Sequence, residues 1–397
     1  MKQISLTIVT MTESKTIKEF LRSIPPENTA TRSAFFLAGF IMAVWAAMVP
    51  FVKMELALDE AHLGMVLLCV GLGALIVMPF CGAIVAKKGA KFLLQGAFFV
   101  VPLILFTVNF SNHVFLTAAL LFLFGMVFGA IDVSMNVHAV EVDHRSEKRL
   151  IAGFHALYSL GSVAGALAMA LLLNAEISLL YASGTLLILC MFVWAWSVNK
   201  LLPDAGKAQG VSKSFALPKG FVLALGLICF LLFMIEGAVL DWGGVFLVEE
   251  KSAAIENAGL AFAAFSTAMT LMRLAGDKLI AWAGPRSCVR YGCLLGALML
   301  AACVFFSNLW LIVALFFVLG IGLANVIPIA FVSTADQNAM PMSLALAAVT
   351  TLGYAGLLTG PALIGFVAKV TSLSAALLML AAFLVIVSFF SNIFREK

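Results

Sequence analysis

Long apolar stretches are the feature that most restricts how this chain can fold. They recur from about residue 32 to the C-terminus, with short polar breaks between them. Each is roughly 20 residues long, enough for one helix to cross about 30 Å of hydrocarbon. With 63% hydrophobic and 11% charged residues, the chain is not an ordinary soluble domain. Because the stretches are apolar on nearly every face and lack the alternation of barrel strands, we predict an all-α membrane protein of twelve transmembrane helices.

The predicted spans fall into two groups of six. The longest hydrophilic interior segment, residues 200–219, is predicted to be a cytoplasmic linker between an N-terminal bundle at 32–199 and a C-terminal bundle at 220–397. Residues 1–31 lack the long apolar region of a secretory signal and are predicted to form a cytoplasmic tail. The spans are predicted to begin at about Ser33, Glu60, Lys91, Val114, Leu150 and Glu176, and then at about Lys219, Ile255, Ser287, Leu309, Pro341 and Ser372.

Basic residues are distributed unevenly between the two predicted faces. With the N-terminus inside, twenty of the 24 Lys and Arg lie in the tails and even-numbered loops, against three outside, at Lys53, Lys251 and Lys369. This pattern follows the positive-inside rule and predicts cytoplasmic termini in a bacterial inner (plasma) membrane. The net charge of +4 therefore reflects topology, and no nucleic-acid partner is expected.

Glycines repeat at a fixed spacing in the two predicted bundles. Several glycines of the first half have a counterpart 195 residues later, at the same place within the second half. The pairs are Gly89 and Gly284, Gly125 and Gly320, Gly161 and Gly356, and Gly165 and Gly360. The repeat indicates a duplicated six-helix unit, an architecture in which solute sites lie between the halves near mid-membrane.

A short basic loop follows the second predicted span. It contains Gly82, Lys87, Lys88 and Gly89, with Ala86 at the position where a known loop motif carries an acid. Through this loop and its two matched halves, the chain resembles the major facilitator superfamily along essentially its whole length. The resemblance implies the fold of that superfamily, and it implies that these glycines and lysines take part in cytoplasmic gating.

The corresponding region after the eighth span contains Arg273 and Asp277. The two residues are four apart, a spacing at which side chains share one helix face and can form an ion pair. The resemblance again implies a role in gating, and a purely structural pair remains the alternative.

The segment "GAIDVSMN" in the fourth span and "FHALYSLG" in the fifth are similar to the fucose permease branch of the superfamily. In that branch an acid at the position of Asp132 couples protons, and an Asn at the position of Asn136 touches sugar. The similarity therefore implies the first role for Asp132 and the second for Asn136.

Ionisable groups within a membrane span require a partner, water or a function. Asp132 and His155 are predicted to lie at comparable depths and can pair, either to carry a proton or as a structural hydrogen bond. Glu236 is the most deeply placed acid of the second half and is predicted to face the cavity for proton coupling, with a structural bond as the alternative. His138, at the cytoplasmic end of its span, is expected in solvent.

Other polar and aromatic residues are candidates for contact with the solute. Aromatic rings in central helices can stack on sugar faces, although packing is the alternative explanation for any single Trp. Pro328 is predicted to distort the tenth span. The candidates, besides Asn136, are Trp45, Tyr158, Asp241, Trp242 and Asn325.

The main functional prediction is a secondary transporter for a small polar solute, with protons as coupling ion, acting as a monomer in the lipid bilayer. No Walker-type loop, nucleophile elbow, zinc spacing or Rossmann fingerprint appears in a suitable context, so an enzyme, a cofactor or a metal is not expected. Two alternatives stay open. Met- and Phe-rich helices are compatible with efflux of amphipathic compounds, and the missing acid at Ala86 is compatible with a sensor that no longer transports.

Overall fold

The computed structural model describes residues 25–146, 150–207, 220–334 and 342–394, and these are helical with short connections and contain no strand. The helices are α1 (Pro26–Glu55), α2 (Glu60–Lys88), α3 (Ala90–Val108), α4 (Val114–His144), α5 (Ile151–Asn174), α6 (Leu179–Ser197), α7 (Phe221–Val245), α8 (Leu260–Leu274), α9 (Gly276–Ala283), α10 (Pro285–Phe305), α11 (Leu309–Leu323), α12 (Val326–Ser333), α13 (Met342–Val370) and α14 (Leu373–Phe389). We call α1–α6 the N-terminal half and α7–α14 the C-terminal half.

Eleven helical segments in the described part of the chain are long and apolar enough to cross a membrane. The twelfth predicted span, the eighth along the chain, is present as two successive short helices, α8 and α9. Most helices begin within a few residues of the predicted positions. The first begins at Pro26, earlier than Ser33, because a proline at the first helical position has no unsatisfied N–H to bury. The all-α, twelve-span prediction is confirmed.

The duplication predicted from glycine spacing appears as matched helix crossings. A Cβ built on Gly125 of α4 would lie 1.9 Å from the carbonyl oxygen of Val70 in α2. At the corresponding crossing of the C-terminal half, a Cβ on Gly320 would lie 2.5 Å from the carbonyl oxygen of Phe265. Both members of each crossing are offset by 195 residues from their counterparts. Gly125 and Gly320 therefore lie where the backbones of two crossing helices are in contact.

The turns after the second and eighth spans also match. Gly89 and Gly284 have φ angles of +87° and +79°, a region that favours glycine because it has no Cβ. Each ends one helix and is followed directly by the next, so the chain reverses within one residue.

Two breaks in the C-terminal half lie against each other. Pro328 has no N–H to donate to the carbonyl of Ala324, four residues earlier, and the span is divided there into α11 and α12. Arg273 Nε donates to that carbonyl oxygen at 3.2 Å. In return, Asn325 Nδ2 donates to the carbonyl oxygen of Met272, beside the break between α8 and α9, at 3.4 Å. The distortion predicted from Pro328 is confirmed, and side chains satisfy carbonyls that a broken helix leaves free in lipid.

The two halves are joined at the predicted outer face. Lys53 Nζ of α1 lies 2.5 Å from Glu249 Oε1 of the C-terminal half and 3.1 Å from Glu60 Oε1 of α2. We call these three residues the outer latch. The Lys53 side chain is only 8% exposed, so its charge is neutralised by partners more than by water.

A second ion pair joins the halves beside the outer latch. Asp59 accepts from the N–H of His62 at 2.8 Å and pairs with Lys369 Nζ at 3.0 Å. The backbone N–H of His62, followed by the Lys369 charge, holds the pKa of the Asp59 carboxyl well below its usual range. Nearby, a Cβ on Gly64 would lie 2.6 Å from the carbonyl oxygen of Pro361, so backbones of both halves touch at this face.

Nearer the predicted cytoplasmic ends, side chains of both halves are exposed. His155 of α5 and Arg273 of α8, which belong to opposite halves, are both exposed. Ion pairs and backbone contacts therefore join the halves at the predicted outer face, and exposed side chains of both halves lie nearer the other face.

Candidate solute and proton site

Asp132 is the centre of a polar contact between the halves. Tyr354 Oη, from α13, donates to Asp132 Oδ2 at 2.9 Å. Asn136, one turn further along α4, donates from Nδ2 to Asp132 Oδ1 at 3.2 Å and to its backbone carbonyl at 2.8 Å. Asn136 thus orients the carboxylate of Asp132. The contact between Asn136 and the solute stays a prediction.

Tyr354 was not among the predicted site residues. The internal repeat offers a sequence signal for Tyr354. The offset of 195 places the counterpart of the candidate Tyr158 at residue 353, directly before Tyr354. The hydrogen bond itself spans 222 residues of sequence, and no local pattern indicates it.

Glu236 and Arg273 form a second polar contact, within the C-terminal half. Arg273 Nη2 lies 3.3 Å from Glu236 Oε1, and the two side chains are 36% and 21% exposed. Arg273 was predicted to pair with Asp277, whose side chain lies outside the described residues. Among the described residues, the acceptors of Arg273 are Glu236 and the carbonyl of Ala324, and its pairing with Asp277 stays a prediction.

Tyr158 connects the two contacts. It is partly buried on α5 and lies within electrostatic range of both Asp132 and Glu236. These contacts link five residues from both halves, which we call the central polar cluster: Asp132, Tyr354, Tyr158, Glu236 and Arg273.

The predicted pairing of His155 with Asp132 is not formed in this conformation. The His155 ring lies edge-on to Phe35, with ring centroids 5.1 Å apart, and it is within electrostatic range of Arg273. Asp132 is occupied by Tyr354 and Asn136. His155 lies only one turn into α5, so it contacts the first helix and not the deeper carboxylate.

The two tryptophans predicted to contact solute are buried. Trp45 packs on Phe124, with ring centroids 6.1 Å apart, and Trp45 and Trp242 are 1% and 0% exposed. Asn325 is buried at the helix break and bonds to Met272. Asp241 is half-buried one turn beyond Glu236. In this conformation, Trp45 is therefore a packing residue. Asn325 stabilises the helix break by its hydrogen bond to Met272.

The predicted gating loop packs against the segment that follows α6. The N–H of Ala90, directly after Gly89, donates to the carbonyl oxygen of Ala205 at 2.8 Å. Lys87 is exposed, and Lys88 Nζ lies 4.1 Å from the centroid of the Phe92 ring. A Cβ built on Gly82 would meet nothing within 4 Å. The gating role of these residues stays a prediction.

His138 differs from its expected solvated position, because it is fully buried. The N–H of Leu202 donates to His138 Nε2 at 2.9 Å, so Nδ1 carries the proton and donates to Thr31 Oγ1 at 3.0 Å. Thr31 in turn donates to the carbonyl oxygen of Glu27 at 2.8 Å. The histidine joins α1, α4 and the segment after α6, contacts that its own span does not encode.

No group of three or more His, Cys, Asp or Glu within the described ranges is arranged to hold a metal ion. The seven cysteines are unpaired thiols.

The fold has counterparts among known proteins. The family model for the Major Facilitator Superfamily matches residues 32–342. An uncharacterized MFS-type transporter of Yersinia pestis is 37% identical over 352 residues, covering 88% of this chain and 91% of that protein. Membrane protein MosC of Rhizobium meliloti is 28% identical over 360 residues, covering 91% and 88% respectively.

Among solved structures, the nucleoside transporter NupG superposes with a TM-score of 0.74 at 15% identity, covering 92% of this chain and 100% of that one. At that identity the likeness concerns the fold. None of these four similarities assigns the chain to the fucose permease branch, which stays a prediction. The matched family model and the relative from Yersinia pestis establish that the chain belongs to the major facilitator superfamily of membrane transporters.

Proposed function

We propose that this transporter moves a small polar solute, of the class of sugars and related metabolites, by alternating access driven by protons. The proposal places it as a monomer in a bacterial inner membrane with both termini cytoplasmic. Asp132, His155 and Glu236 are the proposed proton-coupling residues.

The hydrogen bond from Tyr354 to Asp132 is the observation that best supports proton coupling. It joins a carboxylate of one half to a hydroxyl of the other at 2.9 Å. A hydrogen bond to an ionised carboxylate is stronger than one to the neutral acid. Protonation of Asp132 therefore weakens a contact between the halves, and by linkage the relative position of the halves changes the affinity of Asp132 for a proton.

The experiment uses purified protein in proteoliposomes and first identifies a transported solute from a panel of sugars and metabolites. Asp132→Asn is expected to abolish accumulation driven by a pH gradient, while exchange of labelled for unlabelled solute continues. The matched control is Glu141→Gln, which removes a half-buried acid of the same helix whose partner is Arg145. Accumulation by the Asp132→Asn variant at the rate of the unmodified protein contradicts the coupling role.

Tyr354→Phe tests the inter-half bond separately, because it removes one hydroxyl and keeps the ring that lies beside Phe233. Accumulation is expected to fall by about tenfold, the cost of about 1.4 kcal/mol for one hydrogen bond to a charged group. The measurement is solute accumulated per proton entering, followed with an internal pH dye. An unchanged ratio and rate contradict the assignment.

A further inference from the structure

The Glu236–Arg273 contact is incomplete in a way that indicates a ligand. An arginine has five N–H donors in a planar fork, which fits a carboxylate with two parallel bonds. Among the described residues, Arg273 uses one donor on the carbonyl of Ala324 and one on a single oxygen of Glu236, at the long distance of 3.3 Å. At 36% exposure, the Arg273 side chain is accessible to a ligand.

The position of Arg273 is held independently of Glu236. The bond from Nε to Ala324 satisfies the carbonyl that Pro328 leaves free, and Asn325 closes the same junction on Met272. The Arg273 Nε atom is thus held by the backbone at the two helix breaks. Among the described residues, the other N–H groups of Arg273 have no acceptor besides one oxygen of Glu236. A fixed arginine fork is the usual protein group for carboxylate recognition.

We propose that Arg273 is the solute-binding cation of the cavity, and that the transported solute carries a carboxylate that takes the place of Glu236 on Arg273 when Glu236 is protonated. The inference rests on the proposed function and narrows its solute class to acidic sugars and similar hydroxy acids. A proton on Glu236 removes one negative charge, and the solute carboxylate restores it, so one proton accompanies one anion into the site.

Several titratable groups face this contact. Tyr158 of α5 and Cys229 of α7 lie within electrostatic range of Glu236, and His155 lies within range of Arg273. Asp132 is connected through Tyr158. Only replacement of Glu236 itself is expected to remove the proton requirement for carboxylate binding.

The test measures thermal stabilisation of the full-length purified protein by D-gluconate and D-glucuronate, each against its neutral partner D-glucose, at acidic and at mildly alkaline pH. In the unmodified protein the acids are expected to bind more tightly than glucose, and more tightly at acidic pH. Glu236→Gln is expected to make acid binding independent of pH and, at alkaline pH, about tenfold tighter, which corresponds to the release of one charged hydrogen-bond partner. Arg273→Gln is expected to remove the preference for acids.

The expected gain of affinity in Glu236→Gln also excludes misfolding as the cause of the effect, because a misfolded protein does not bind the acids more tightly. Glucose binding equal to or better than that of the acids in the unmodified protein overturns the inference, as does weaker acid binding in Glu236→Gln. The proposed function is judged separately, since Asp132→Asn is expected to keep the acid preference and lose only coupled accumulation. Transport of neutral sugars with intact coupling would leave the proposed function standing and reject the anion site.

Discussion

Replacing Gly125 by alanine is expected to destabilise the N-terminal half by about 3 kcal/mol, the upper range for overpacking a well-packed core. The added Cβ would lie 1.9 Å from the carbonyl oxygen of Val70 and 2.7 Å from its carbonyl carbon. These are backbone atoms and cannot rotate away, so α2 and α4 must separate. The midpoint of thermal unfolding in detergent, and the yield of monodisperse protein, measure the effect.

Gly96 is the matched control for that substitution. It lies on the exposed side of α3, and a Cβ built there meets nothing within 4 Å. Gly96→Ala is expected to be neutral or to stabilise by about 0.5–1 kcal/mol through helix propensity. Equal unfolding midpoints for the two variants would mean that the crossing of α2 and α4 is not the close contact described.

Replacing Lys53 by methionine is expected to open the outer face. The substitution leaves Glu249 and Glu60 without their shared cation and places two carboxylates near each other across the halves. Because the two carboxylates are 29% and 34% exposed, the expected cost lies between about 0–1 kcal/mol for an exposed pair and about 3–5 kcal/mol for a buried one. A cost of about 1.4 kcal/mol shifts a two-state population about tenfold. The measurement is the distance between spin labels at the exposed residues Glu55 and Ser252, in a background without native cysteines.

Two controls accompany this measurement. Lys53→Arg keeps the charge and is expected to keep the short label distance. Lys369→Met removes the pair with Asp59, in which the two side chains are 48% and 37% exposed, and an exposed pair contributes only about 0–1 kcal/mol. If Lys53→Met keeps the distance of the unmodified protein, the outer latch does not hold this face closed.

Much of the architecture can be predicted from sequence because it depends on local properties of the chain, such as the mean hydropathy of a span or the position of a proline. Hydropathy averaged over a span identifies a membrane helix whatever it packs against, and the break at Ala324 follows from a proline four residues away. The eighth span shows where that method fails. Its apolar pattern is continuous enough to predict one helix, yet the backbone divides it into α8 and α9 beside the break in the tenth span.

For the ionisable residues, too, the sequence predicted one property and only the structure gave the other. That Asp132, Glu236 and Arg273 lie within membrane spans was evident from the sequence, because each interrupts an apolar run. Their partners were decided only in the tertiary structure: Tyr354 for Asp132, and Glu236 for Arg273. A partner depends on the rotation and depth of helices far apart in sequence, and packing between helices sets both. Hydropathy carries no information about rotation, so the sequence by itself determined which side chains need a partner, and the packed helices determined which partner each one has.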